Sequence, residues 1–131
     1  MSSNVTVVVI DDDLSVRRSL TRLLASAGYE VITCSSAEEF LGLSSVPCPA
    51  CLVTDVRMPG MTGLDLLDVL RTRGASLPII LVSGDTDAGA SAQARAAGAV
   101  RFLLKPFASE DLLGALAEAL DRDSAALARE A

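Results

Sequence analysis

Five short apolar runs punctuate the chain, at residues 5–10, 29–33, 50–54, 79–82 and 100–104, with stretches of helical length between them. Most of the runs are continuous rather than alternating, the pattern of strands buried on both faces of a parallel sheet. Residues 16–27 set Val16, Leu20, Leu23, Leu24 and Ala27 on one helical face and end at Gly28, which predicts a helix packed on the sheet and stopped by a glycine. Ser35-Ser36-Ala37-Glu38-Glu39 holds two overlapping capping boxes, Ser35 with Glu38 and Ser36 with Glu39, so a second helix begins ahead of Phe40 and Leu41. Leu64, Leu67 and Leu70 predict a third helix over 63–73, stopped before Gly74 and Pro78. Alanine-rich 88–97, closed by Gly98, predicts a fourth. Ser109 as N-cap, with Glu110 and Asp111 in the first turn, opens a fifth that can bury Leu112, Leu113, Leu116 and Leu120.

Strict alternation of strand and helix with short connections predicts a doubly wound α/β fold with helices on both faces of a five-stranded parallel sheet. Its 131 residues, half of them hydrophobic, suit one domain. With only 3% aromatics, the core is expected to be aliphatic. Residues 123–131 read as a tail or the start of a linker helix after a domain over 1–122.

Charge removes several function classes. A formal net charge of −6 gives no basic stripe for tracking phosphates, so direct nucleic-acid binding by this domain is not expected. No apolar stretch approaches the ~20 residues needed to span a bilayer, and Met1-Ser2-Ser3-Asn4 lacks a basic n-region, so a cytoplasmic location without membrane contact is the expectation. Three cysteines argue against a disulfide framework. Cys48 and Cys51 have C-x-x-C spacing but lead into a strand rather than sit at a helix N-terminus, which disfavours a redox role. With no His and one further Cys, a zinc site lacks ligands.

In open α/β sheets functional groups collect beyond the carboxyl ends of the strands. Those ends carry Asp11-Asp12-Asp13, Asp55, Ser83 and Lys105-Pro106. Convergence would pack carboxylates beside one hydroxyl and one ammonium, and such carboxylates resist joint ionisation unless a cation shares the site. Magnesium fits, because it takes oxygen ligands and commonly uses one or two carboxylates plus a phosphate oxygen; manganese is an alternative. Asp55 is then a candidate nucleophile toward phosphorus, with Lys105 and the Ser83 hydroxyl placed to contact phosphoryl oxygens. Each piece also has a plain reading: Asp13 as a helix N-cap, Lys105 as a solvated lysine, Ser83-Gly84 as a turn. Their joint order at four strand ends is what favours chemistry.

Ile10-Asp11-Asp12-Asp13, the run 55–63 (DVRMPGMTG), Ser83-Gly84, Ala97-Gly98-Ala99 and Lys105-Pro106-Phe107 resemble the receiver domains of two-component response regulators, the CheY-like superfamily. The resemblance runs from about residue 5 to residue 120 and is similar in detail to FixJ-type receivers. It implies a flavodoxin-like sheet of order 2-1-3-4-5 with five helices. It also implies Asp55 as phospho-acceptor, Asp12 and Asp11 with Asp55 as magnesium ligands, and the Arg57 backbone carbonyl as a further ligand. Lys105 would contact the phosphoryl group, ahead of a cis Lys105-Pro106 bond. Ser83 would be the switch hydroxyl and Phe102 the aromatic that turns with it, where Thr and Tyr are the commoner choices.

The implied function is a phospho-accepting switch, itself not an enzyme toward other molecules, that takes its phosphoryl group from a sensor histidine kinase. The face of the fourth helix, fifth strand and fifth helix would then change shape to control a partner, through phosphorylation-dependent homodimerisation or a C-terminal DNA-binding output domain in transcription regulation. The chain is expected to be either an excised or a stand-alone receiver. Two alternatives stay open: a haloacid-dehalogenase-type phosphatase, because Asp11-x-Asp13-x-Ser15 also follows the first strand, and a receiver-like module that no longer accepts phosphate.

Overall fold

The computed structural model describes residues 5–43, 50–75, 77–84 and 101–130, with 121–130 as backbone. Strands β1 (Thr6–Ile10), β2 (Glu30–Cys34), β3 (Ala50–Asp55), β4 (Ile79–Ser83) and β5 (Arg101–Leu104) alternate with helices α1 (Leu14–Ser26), α2 (Ala37–Leu41) and α3 (Gly63–Thr72), and α4 (Ser109–Glu130) closes the chain. All strand pairs are parallel, in the order β2-β1-β3-β4-β5. This is the expected doubly wound sheet. Four helices are described where five were expected, and the one expected over 88–97 lies outside the described residues, as does Cys48. Among the described residues no helix is long and apolar enough to cross a membrane.

Continuous apolar runs become buried strands because each neighbour along a strand faces a different layer. Val8, Ile10, Leu52, Ile79 and Leu81 pack with Phe40 of α2 and Leu66, Leu67 and Leu70 of α3. Val7, Val9, Cys51, Val53, Ile80 and Val82 pack with Leu24 of α1 and Leu112, Ala115, Leu116 and Ala119 of α4. Two aliphatic cores thus share one sheet. At the sheet's edge β2 is only partly covered, with Glu30 and Thr33 exposed.

Helix ends follow local chemistry. Asp13 caps α1, its carboxylate accepting from the Ser15 amide at 2.8 Å, so the helix starts two residues before the apolar face does. Ala27, expected on the buried face, is instead the exposed C-cap, and Gly28 follows with φ +96°. Neither possible capping box before α2 closes in full: Ser36 is the N-cap, its Oγ accepting from the Glu39 amide, while Glu39 Oε1 accepts from the amide and hydroxyl of Ser35 rather than from Ser36. Glu38 is left for another partner. A complete capping box, Thr62 with Asp65, starts α3.

Candidate functional site

Parallel strands in this order deliver their carboxyl ends to one edge, and the chemistry-bearing residues arrive there. Asp11 directly follows β1; Asp55 and Ser83 are the last residues of β3 and β4; Lys105 directly follows β5. Asp11, Asp55 and Ser83 are all buried, at 4%, 9% and 1% exposure. Carboxylate oxygens of Asp11, Asp12 and Asp55 lie within 4.8 Å of one another. The Lys105 ammonium reaches two of them, with Nζ 3.2 Å from Asp55 Oδ2 and 3.4 Å from Asp11 Oδ2.

Backbone groups fix these side chains. Asp11 Oδ1 accepts from the Asp13 amide at 2.9 Å, and the Asp11 carbonyl accepts from Arg17 Nη1 at 2.7 Å. The Arg57 amide donates to Asp55 Oδ1 at 3.2 Å. The Lys105 amide donates to the Ser83 carbonyl at 2.8 Å, which ties the lysine to the end of β4. The Lys105-Pro106 peptide is cis. Phe102 stands apart, packed partly buried on the core shared with α2 and α3; in β5 it pairs with Leu81, as Leu104 does with Ser83. The Arg57 side chain points into neither core and is exposed.

The charge balance is unfavourable without a further cation. Burial pushes the Asp11 carboxyl above its ordinary value, and the Asp55 charge adds to this, despite the opposing Asp13 amide and Lys105 ammonium. Burial acts to lower Lys105, yet Asp11 and Asp55 together outweigh it and hold the ammonium above its usual value. One ammonium therefore does not neutralise the group. Three carboxylates offering hard oxygen ligands at this spacing suit magnesium or manganese better than zinc, which prefers nitrogen and sulfur. The donor set fits.

Asp13 is absent from this cluster because its carboxylate caps α1. Its N-cap reading was correct. Residues not singled out in the sequence also shape the site. A Cβ on Gly63 would stand 2.5 Å from the Asp55 carbonyl oxygen, so only glycine allows α3 to start this close to β3. Arg17 braces the Asp11 carbonyl. Neither carries a local spacing signal; only the run of two glycines in 55–63 hints at close approach.

Comparisons with known proteins agree with this geometry. The family model of the response regulator receiver domain matches residues 7–117. Nodulation protein W of Bradyrhizobium diazoefficiens is 43% identical over 122 residues, 93% of this chain and 54% of that protein. The transcriptional regulatory protein FixJ of Azorhizobium caulinodans is 41% identical over 124 residues, 95% of this chain and 59% of its own length. The chain thus spans little more than half the length of these relatives. Among solved structures, response regulator StyR superposes with a TM-score of 0.88 at 40% identity, covering 98% of this chain and 65% of that one. The N-terminal portion of FixJ gives 0.83 at 37%, covering 91% and 94%. On a family match that reaches into every strand and includes all the clustered acids, the chain belongs to the response regulator receiver domain family and is of the FixJ type.

Proposed function

We propose that Asp55 accepts a phosphoryl group from the phosphohistidine of a sensor kinase, and that this modification switches the domain between two states. The observation that carries the reading is the meeting, at one sheet edge, of three carboxylates with the ammonium of Lys105. A carboxylate oxygen of Asp55 forms the new P–O bond as the P–N bond of the donor breaks; the electron pair stays on the imidazole nitrogen, which takes up a proton. Asp11, Asp12, Asp55 and the Arg57 carbonyl would hold a magnesium ion, whose charge offsets that of the phosphoryl oxygens. The Arg57 amide keeps the Asp55 carboxylate in place, and Lys105 transfers its contact from Asp55 to a phosphoryl oxygen. By supplying these contacts, the domain catalyses its own phosphorylation and dephosphorylation.

The Ser83 hydroxyl, buried at the end of β4, then turns toward the phosphoryl group, and Phe102 fills the space it leaves. Having no hydroxyl, Phe102 gains packing but no hydrogen bond on turning inward. The face around β5 and the last helix changes shape and binds a partner, a second copy of the chain being the first candidate. Relatives named as transcriptional regulators, of which the match covers only 54% and 59%, support a DNA-binding output domain in the whole protein, with 1–122 as the receiver and 123–131 as the start of a linker. A cytoplasmic location follows from that role. Against the phosphatase alternative, Asp13 caps α1 through Oδ1 and stands outside the carboxylate cluster of Asp11, Asp12 and Asp55.

The test is incubation with a small-molecule phosphodonor and magnesium, read by intact mass. Wild type should gain one phosphoryl group, Asp55→Asn none. Labelling of the Asn variant at the wild-type rate would refute the assignment.

A further inference from the structure

We infer that Glu38 is a positioning residue for Asp55, acting through the loop that joins β3 to α3. The inference rests on the proposed function of Asp55 and adds a residue from a different element to its machinery. The loop leaves β3 at Val56 and returns at Gly63, whose amide donates to the Val56 carbonyl at 2.9 Å and closes its base. Near that base the Arg57 amide holds Asp55 Oδ1. The apex is fastened from outside: Glu38, in the first turn of α2, accepts a hydrogen bond from the Met61 amide on Oε2 at 3.0 Å, across 23 positions of sequence.

Three features favour a built contact over a chance one. Gly60 has φ +75°, which glycine adopts without strain, and a Cβ there would stand 2.8 Å from Glu38 Oε2, so a side chain at this position would push the carboxylate from its present place beside the next amide. Glu38 is not needed for capping, since Ser36 and Glu39 supply that. Finally, α2 is itself anchored, with Ala37 and Phe40 buried in the same core as Val56 and Met58 at the loop's base. The carboxylate therefore connects a fixed helix to the apex of the loop whose base orients Asp55. Loss of a hydrogen-bond partner of a reacting or metal-binding group commonly lowers affinity or rate by about tenfold or more, and because Glu38 acts on Asp55 through the loop that figure is its upper bound.

The experiment compares wild type, Glu38→Ala, Glu38→Gln and a charge-loss control, Glu30→Ala, at the exposed far end of β2. Each is titrated with magnesium by amide NMR and phosphorylated with a small-molecule donor at saturating magnesium. Glu38→Ala should weaken the magnesium midpoint and slow phosphorylation several-fold, about tenfold at most, and should speed hydrogen exchange at the Met61 amide. Glu38→Gln keeps an acceptor and should restore both to within about twofold; Glu30→Ala should match wild type. Wild-type values in Glu38→Ala, or equal impairment in Glu38→Gln, would overturn the inference while leaving Asp55 as acceptor. A wild-type chain that takes up neither magnesium nor phosphoryl would refute the underlying function instead.

Discussion

Replacing Gly63 with alanine adds one methyl group where the backbone of β3 meets the start of α3. The new carbon would stand 2.5 Å from the Asp55 carbonyl oxygen and 3.1 Å from both the Asp55 carbonyl carbon and the Val56 Cα. All three neighbours are backbone, so none can turn away as a side chain would. Alanine gains at most about 1 kcal/mol of helix propensity over glycine. Overpacking of a well-filled site costs about 1–3 kcal/mol, and rigid neighbours place this case at the upper end. The net expectation is a loss of about 2 kcal/mol.

Urea denaturation followed by far-ultraviolet circular dichroism measures this directly. With a slope of about 1–3 kcal/mol per molar urea, the midpoint should fall by roughly 1 M. Gly114→Ala is the matched control: it lies on an exposed position of α4 with nothing within 4 Å of its would-be Cβ. That substitution should raise stability by about 0.5–1 kcal/mol. Opposite signs from one chemical change isolate the contact with β3. An unchanged midpoint for Gly63→Ala, or equal losses at both positions, would refute the close-approach argument. Because the displaced carbonyl belongs to Asp55, Gly63→Ala should also slow phosphorylation.

Three further expectations follow from the ionisable groups. Burial, with the Glu39 charge adding to it, pushes the Cys34 thiol up to about 11, so at pH 8 only about one molecule in a thousand carries the thiolate; a thiol reagent should modify Cys34 no faster than the chain unfolds, and prompt native-state labelling mapped to Cys34 would refute this. The amide and hydroxyl of Ser35 hold the Glu39 carboxyl below its ordinary value. Its contribution is therefore complete above the unfolded value and disappears as pH falls through the lower folded one, so the stability gap between wild type and Glu39→Gln should close below about pH 4.5. Asp11 is shifted the other way by burial, so its ionised form opposes folding above that range. Asp11→Asn, which keeps an acceptor for the Asp13 amide, should be more stable than wild type at neutral pH without divalent cations and should lose the stabilisation that magnesium confers, both seen by thermal denaturation with and without the ion.

The strands were legible because burial on both faces leaves uninterrupted apolar runs, and their edges shifted by no more than about a residue. What the runs conceal is how their residues divide between layers: Val7 and Val9 face α1 and α4, Val8 and Ile10 face α2 and α3, yet all four read alike. Asp11, Asp55, Ser83 and Lys105 were legible for a topological reason, since a parallel sheet gathers its carboxyl ends at one edge. Asp13 was ambiguous in sequence, and only the 2.8 Å contact to Ser15 decides for the cap. Glu38 was assigned a local partner because capping boxes have a spacing and long-range hydrogen bonds have none. Its true partner, the Met61 amide, becomes visible only when α2 and the β3–α3 loop are brought together.

The contrast between Lys105 and Asp11 sets this edge apart from a simple buried ion pair. In a simple buried pair each partner stabilises the other's charge, and the carboxylate's pKa falls as the ammonium's rises. Here the ammonium rises and the Asp11 carboxyl rises too, because burial and a second carboxylate outweigh a single shared lysine. Stability alone would favour replacing such a group with neutral side chains. Gathered at the carboxyl ends of the strands, this excess of negative charge suits a cation and, in the proposed function, a transferable group. In the proposed function the same excess of charge supplies the switch, since a phosphoryl group on Asp55 would change the charge balance among Asp11, Asp55 and Lys105.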